Sequence, residues 1–227
     1  MYVGSDNSVW AEGDGTDTGE KGLLYSREVH NTIIRNSTIG PNVTAEPFDI
    51  KEGTTGTIVE NNVIYGSGVS GNNFADSHID IKGSWAVVRY NTFYQSGNAN
   101  IARAIMIVSR QSAGVPARYT AHDNYVHGNT FHLESAVELV VANSGSSDIY
   151  AWDNTKVPDT GSFYNSRVTQ SIPSGYDPGT NPDPGPDPNP DPDTGELKLQ
   201  YDNAETDASS KSIKPDVLII NTGGMPL

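Results

Sequence analysis

Apolar residues along this chain come in short runs, broken by Asn, Gly and Ser, rather than in long helical stripes. TIVENNVIYG at 57–66, AVVRYNTFYQ at 86–95, YTAHDNYVHG at 119–128 and IYAWDNTKV at 149–157 each join such a run to an Asn. The Asn positions are 62, 91, 124 and 154, in steps of 29, 33 and 30 residues. One step earlier, IIRNSTI at 33–39 puts Ser37 in the same slot. Self-similarity at such a period marks a stacked repeat, in which sequence repeats become spatial columns.

A second set of strands repeats alongside the first: PFDIKEG at 47–53, HIDIKG at 78–83, AIMIVSR at 104–110 and AVELVVAN at 136–143. It aligns Asp49, Asp80, Met106 and Glu138 in steps of 31, 26 and 32. Strand side chains alternate between two faces. Phe48, Ile50, Ile79 and Ile81 are therefore expected inside, and Asp49, Lys51, His78, Asp80 and Lys82 outside. Two columns with one average period predict an all-β fold, a right-handed parallel β-helix. Each coil has a strand, an Asn turn, a second strand, a variable loop and the FDIKEG-type strand. Stacked Asn side chains are expected to form a hydrogen-bonded ladder that satisfies turn amides, which makes this column structural.

The 227 residues suffice for one substantial domain and an appendage. The β-helix is expected over 1–173, without a capping coil at its start, as the later part of a longer array. Residues 1–21 read as an irregular acidic loop, with a calcium loop at Asp14 and Asp17 as the alternative. Residues 174–195 alternate Pro with Asp and Asn, which neither builds a core nor sustains a ladder, so a disordered, extended linker is expected. Residues 196–227 hold two strand-like runs, too few for a complete sandwich. The net charge of −14 argues against nucleic acid and anionic membranes as partners. With no Cys, disulfides and thiolate metal sites are excluded.

The tail resembles the opening of a family 3 carbohydrate-binding module, on LKLQY at 197–201, SIKP at 212–215 and IINTGG at 219–224. That resemblance implies a secreted, extracellular protein whose complete module binds cellulose. The repeats and their outward residues resemble the pectate-lyase-like superfamily over roughly residues 22–157. That resemblance implies a monomeric polysaccharide lyase, acting by β-elimination on an acidic plant cell-wall polysaccharide.

Adjacent strands lie roughly 4.8 Å apart, so Asp49 and Asp80 should stack, as should Lys51 and Lys82. Glu52 and Arg110 border them. In the resembling enzymes acidic side chains hold Ca2+ and a Lys or Arg removes the proton beside the uronate carboxylate. This implies Asp49 and Asp80 as metal ligands, Lys82 and Lys51 as candidate bases, and Arg110 and His78 as substrate-binding residues. A cation neutralising the carboxylate would acidify that proton, and the base must lie within hydrogen-bond reach of it. The same pattern also fits an ordinary cross-strand salt-bridge patch. A β-helix glycoside hydrolase using the two carboxylates, a non-catalytic adhesive protein and an epimerase remain as alternatives.

Overall fold

A computed structural model describes residues 1–4, 28–109, 120–134, 136–177, 197–203 and 215–221. The first of its two compact units, Met1–Pro184, is a parallel β-helix. Three parallel sheets run along it, each adding one strand per coil. The first sheet stacks Tyr2–Val3, Phe48–Ile50, Ile79–Ile81, Arg103–Ile107 and Glu138–Ala142. The second runs from Ile33–Arg35 through Ile58–Glu60, Val87–Arg89, His122–His127 and Ser147–Trp152 to Val168–Thr169. The third stacks Thr38–Ile39, Val63–Tyr65, Thr92–Tyr94, Thr130–His132 and Thr155–Val157.

Alternation along these short strands sends one column of each sheet inward. Phe48, Ile79, Ile105 and Val140 are register partners on the first sheet and all are fully buried. On the third sheet Phe93 stacks on Phe131 with ring centroids 4.5 Å apart. Lys156 follows Phe131 in that same inward column. It is 2% exposed, and its ammonium reaches the Ser162 carbonyl at 3.3 Å.

The Asn ladder joins the second sheet to the third. Asn91 Oδ1 accepts from the backbone N–H and the side-chain amide of Asn62, both at 3.0 Å. Asn91 donates in the same way to Asn129, and Asn129 to Asn154. The Ser37 N–H donates to Asn62 Oδ1, which confirms the slot assigned to Ser37. The expected third rung, Asn124, is corrected to Asn129. Asn124 lies within the longer strand His122–His127, where it braces Gly83 and Ala86. The rung must follow a residue in the left-handed region, because a two-residue corner needs that backbone. Asn36, Asn61, Tyr90, Gly128 and Asp153 occupy that position, with φ between 50° and 64°.

The expected placement of Glu138 beside Met106 is also corrected. Glu138 pairs in register with Arg103, and Val141 partners Met106. The first strands of each sheet are short, whereas Arg103–Ile107 and Glu138–Ala142 have five residues, which shifts the alignment.

The chain is still packed on the β-helix past residue 174, where the linker was expected to begin. The Tyr176 ring stacks on Tyr125 at 4.6 Å, and its hydroxyl lies 3.2 Å from His127 Nε2. The second unit, Gly185–Leu227, contains the antiparallel pair Leu197–Asn203 and Pro215–Asn221, in register from Leu197↔Asn221 to Asn203↔Pro215. Asp14, Asp17 and most of the Pro/Asp segment lie outside the described residues.

Candidate active site

The first sheet carries the candidate residues. Phe-Asp-Ile and Ile-Asp-Ile bury their apolar residues and turn the Asp between them outward. Asp49 and Asp80 are register partners on neighbouring strands. Each strand leads into a lysine whose backbone N–H bonds the previous coil, Lys51 to Val3 at 2.8 Å and Lys82 to Ile50 at 2.7 Å. The corner after Lys82 admits only glycine, because a Cβ on Gly83 would stand 1.9 Å from Thr54 Oγ1.

These four side chains form one alternating row. Lys51 Nζ lies 2.9 Å from Asp49 Oδ2, and Lys82 Nζ lies 2.8 Å from Asp49 Oδ1 and 2.5 Å from Asp80 Oδ2. The Tyr2 ring lies 4.8 Å from Lys51 Nζ. The lysines point away from the core as expected, but their side chains are only 9% and 7% exposed. Such burial distinguishes the row from an exposed surface patch, whose pairs are worth about 0–1 kcal/mol. Asp80 Oδ1 is buried with no hydrogen-bond partner among the described residues. Burial, partly opposed by Lys82, pushes the Asp80 carboxyl above the usual carboxylate range.

Glu46 belongs to the same neighbourhood and escaped column reasoning, since no acid repeats it one coil later. It is half-buried, and burial raises its carboxyl, with Asp80 and Asp49 adding to the shift. It lines a cavity of about 450 Å³ with Thr44, Ser70, Asn72 and Asn73.

His78 is corrected from an outward, substrate-binding residue to a core residue. It is fully buried, with Nε2 3.0 Å from the Tyr94 carbonyl and its ring edge-on to Phe93. Burial lowers its pKa to about 4, so it is neutral near pH 7. It stands one residue before the strand Ile79–Ile81, where the chain has not yet settled into strict alternation. Glu52 is also fully buried, and Arg110 lies outside the described residues.

The row is a poor fit for calcium, which takes 6–8 oxygen ligands at a common point. Asp49 and Asp80 instead converge on ammonium groups, and no cluster of three or more carboxylates or imidazoles able to hold a metal occurs among the described residues. Met106 and Val141 continue the outward column beyond Asp80 without ligand atoms suited to calcium. A retaining or inverting hydrolase pair is equally poorly matched, since Lys82 occupies the space between the two carboxylates where a sugar and water must pass.

Among solved structures, the chain is similar to the crystal structure of an alginate lyase from Paenibacillus sp. str. FPU-7. The two share 36% sequence identity and a TM-score of 0.63, over 74% of this chain and 50% of that one. The chain therefore spans about half the length of that enzyme. No protein-family model matches the sequence, and no curated protein matches it either.

Proposed function

We propose that the protein is a polysaccharide lyase that cleaves a uronate polymer by β-elimination, with alginate as the first substrate class to test. The 36% identity to an alginate lyase supports that class over pectate, which the repeats alone favoured. The observation that carries the reading is the Lys82 ammonium held between Asp49 and Asp80, on the outer face of the first sheet.

The chemistry runs on this row without a metal. As the polymer displaces water from the row, Lys82 passes a proton to Asp80 along their 2.5 Å contact. Lys82, now a neutral amine, removes the proton on the carbon that bears the uronate carboxylate. Lys51 pairs with that carboxylate and stabilises the enolate-like charge. The electron pair forms the new carbon–carbon double bond as the glycosidic carbon–oxygen bond breaks. The leaving oxygen receives the proton held by Asp80, so Lys82 ends as ammonium and Asp80 as carboxylate.

The tail's likeness to a family 3 module supports a secreted enzyme delivered to cellulose-bearing plant material. The test is ultraviolet absorbance of products from alginate and polygalacturonate, each with calcium and with chelator. Unsaturated ends from alginate, indifferent to chelator, are expected. New reducing ends without that absorbance would overturn elimination in favour of hydrolysis.

A further inference from the structure

We propose that Phe74 and the cavity lined by its chain neighbours Asn73 and Ala75 form a subsite for a second pyranose ring of the polymer, adjoining the Asp/Lys row. This rests on the polysaccharide reading above and extends it to a residue outside the row.

Phe74 is 88% exposed, the most solvent-accessible of the large apolar residues described. Its φ is 63° and that of Asn73 is 53°, both in the left-handed region. A bulky side chain is disfavoured there, and glycine would adopt it freely. The fold thus bears the cost of presenting an aromatic ring to water at this place. Strain retained in this way clusters at ligand sites.

The segment leading to Phe74 is braced at residues 66–70. Asn98 Nδ2 donates to the carbonyls of Gly66 and Val69, both at 2.7 Å, and Asn100 Nδ2 donates to Val69 at 3.0 Å. The Ser70 N–H donates to the Thr44 carbonyl at 3.0 Å, which ties together the two loops that wall the cavity. Gly68 permits their approach, since a Cβ there would meet the Pro41 carbonyl oxygen at 2.5 Å.

The cavity's chemistry suits a sugar. Its volume of about 450 Å³ falls in the usual range for small-ligand sites, roughly 300–1,000 Å³. Thr44, Ser70, Asn72 and Asn73 supply hydroxyls and amides that both donate and accept, as ring hydroxyls require. A pyranose offers an apolar C–H face to an aromatic ring and a polar rim to such groups. Glu46 lines the cavity and stands three residues before Asp49, on the segment that runs into the strand Phe48–Ile50, which sets the cavity beside the row. Burial favours the neutral form of that carboxyl and reduces its repulsion of an acidic polymer.

Affinity electrophoresis of the full chain in gels containing alginate or polygalacturonate tests the subsite independently of catalysis. Phe74→Ala should weaken retardation by about tenfold in apparent affinity, and Phe74→Trp should retain it. Phe74→Gly should lose binding yet raise the melting temperature, a pairing that a purely structural phenylalanine would not give. Equal retardation of the wild type and Phe74→Ala overturns the subsite, whatever the products. Retardation that Phe74→Ala loses, from a wild type yielding no unsaturated ends, sustains the subsite and overturns the lyase reading. A wild type that neither gel retards overturns both.

Discussion

Lys82 and Asp80 meet at 2.5 Å at the end of the four-group row, and the Asp80 oxygen turned away from that contact has no partner. A purely structural pair would be expected to satisfy both oxygens, because a buried acceptor without a partner costs about 1–3 kcal/mol. In the proposed elimination this pair passes a proton. Lys82→Ala should abolish product formation, and Asp80→Asn should lower kcat at least about a hundredfold with little change in KM. Initial rates on alginate check this. An Asp80→Asn enzyme turning over at the wild-type rate sinks the relay.

Calcium has no part in this scheme. Dialysis against chelator should leave the rate within about twofold of its starting value once ionic strength is matched, since screening alone perturbs charged sites. Loss of activity on chelation, restored by calcium but not by sodium, would return the metal to the mechanism.

The Asn ladder predicts a stability effect with no functional counterpart. Asn91→Ala deprives the Asn62 backbone N–H and side-chain amide of their acceptor and leaves the Val59 carbonyl without its donor. Each lost bond in a buried setting costs about 1–3 kcal/mol, so the coil should be destabilised by at least that much. Denaturant midpoints for Asn91→Ala and Asn129→Ala measure it. Neutral values for both would remove the ladder from the account of stability.

Acid should destabilise the β-helix through His78. Its pKa is about 4 in the fold, below the ordinary histidine value, so its contribution is fully present above about pH 6.5 and is lost as pH falls towards 4. The difference corresponds to roughly 3 kcal/mol. His127, lowered to about 4 by burial and by Arg89, adds a loss of the same sign. Asp80 and Glu46 are raised by burial, so their contributions are present at low pH and fade as pH rises through their folded values. Comparing melting temperatures of wild type and His78→Gln between pH 7 and pH 4 isolates the histidine. Parallel curves would show that His78 carries no such linkage.

Much of the fold was legible because period-two alternation and a thirty-residue recurrence are local signals. FDI and IDI fixed the inward isoleucines and the Asp49–Asp80 register without any tertiary knowledge. The rung at Asn129 was also available, since Asn129-Thr-Phe-His repeats Asn91-Thr-Phe-Tyr directly after a glycine suited to the left-handed corner. Asn124 stands nearer the average step from Asn91 than Asn129 does, which disguises the true rung. His78 was misplaced because alternation was extended one residue beyond the strand. Glu46 and Phe74 were not legible from columns at all. They sit between the strands, Glu46 in a loop and Phe74 in the short 3-10 turn Asn72–Phe74, where no period runs, and Phe74 is informative only through its backbone angle and exposure.

Lys156 gives the stack a chemical full stop. A β-helix presents open strand edges at its ends, and an apolar inward column there would welcome the first coil of another molecule. On the third sheet the column running through Phe93 and Phe131 reaches an ammonium-bearing side chain instead of another hydrocarbon. That ammonium is already covered and bonded to the Ser162 carbonyl, so on this sheet a foreign coil finds no open apolar rung to extend, which protects the protein against head-to-tail growth into fibres.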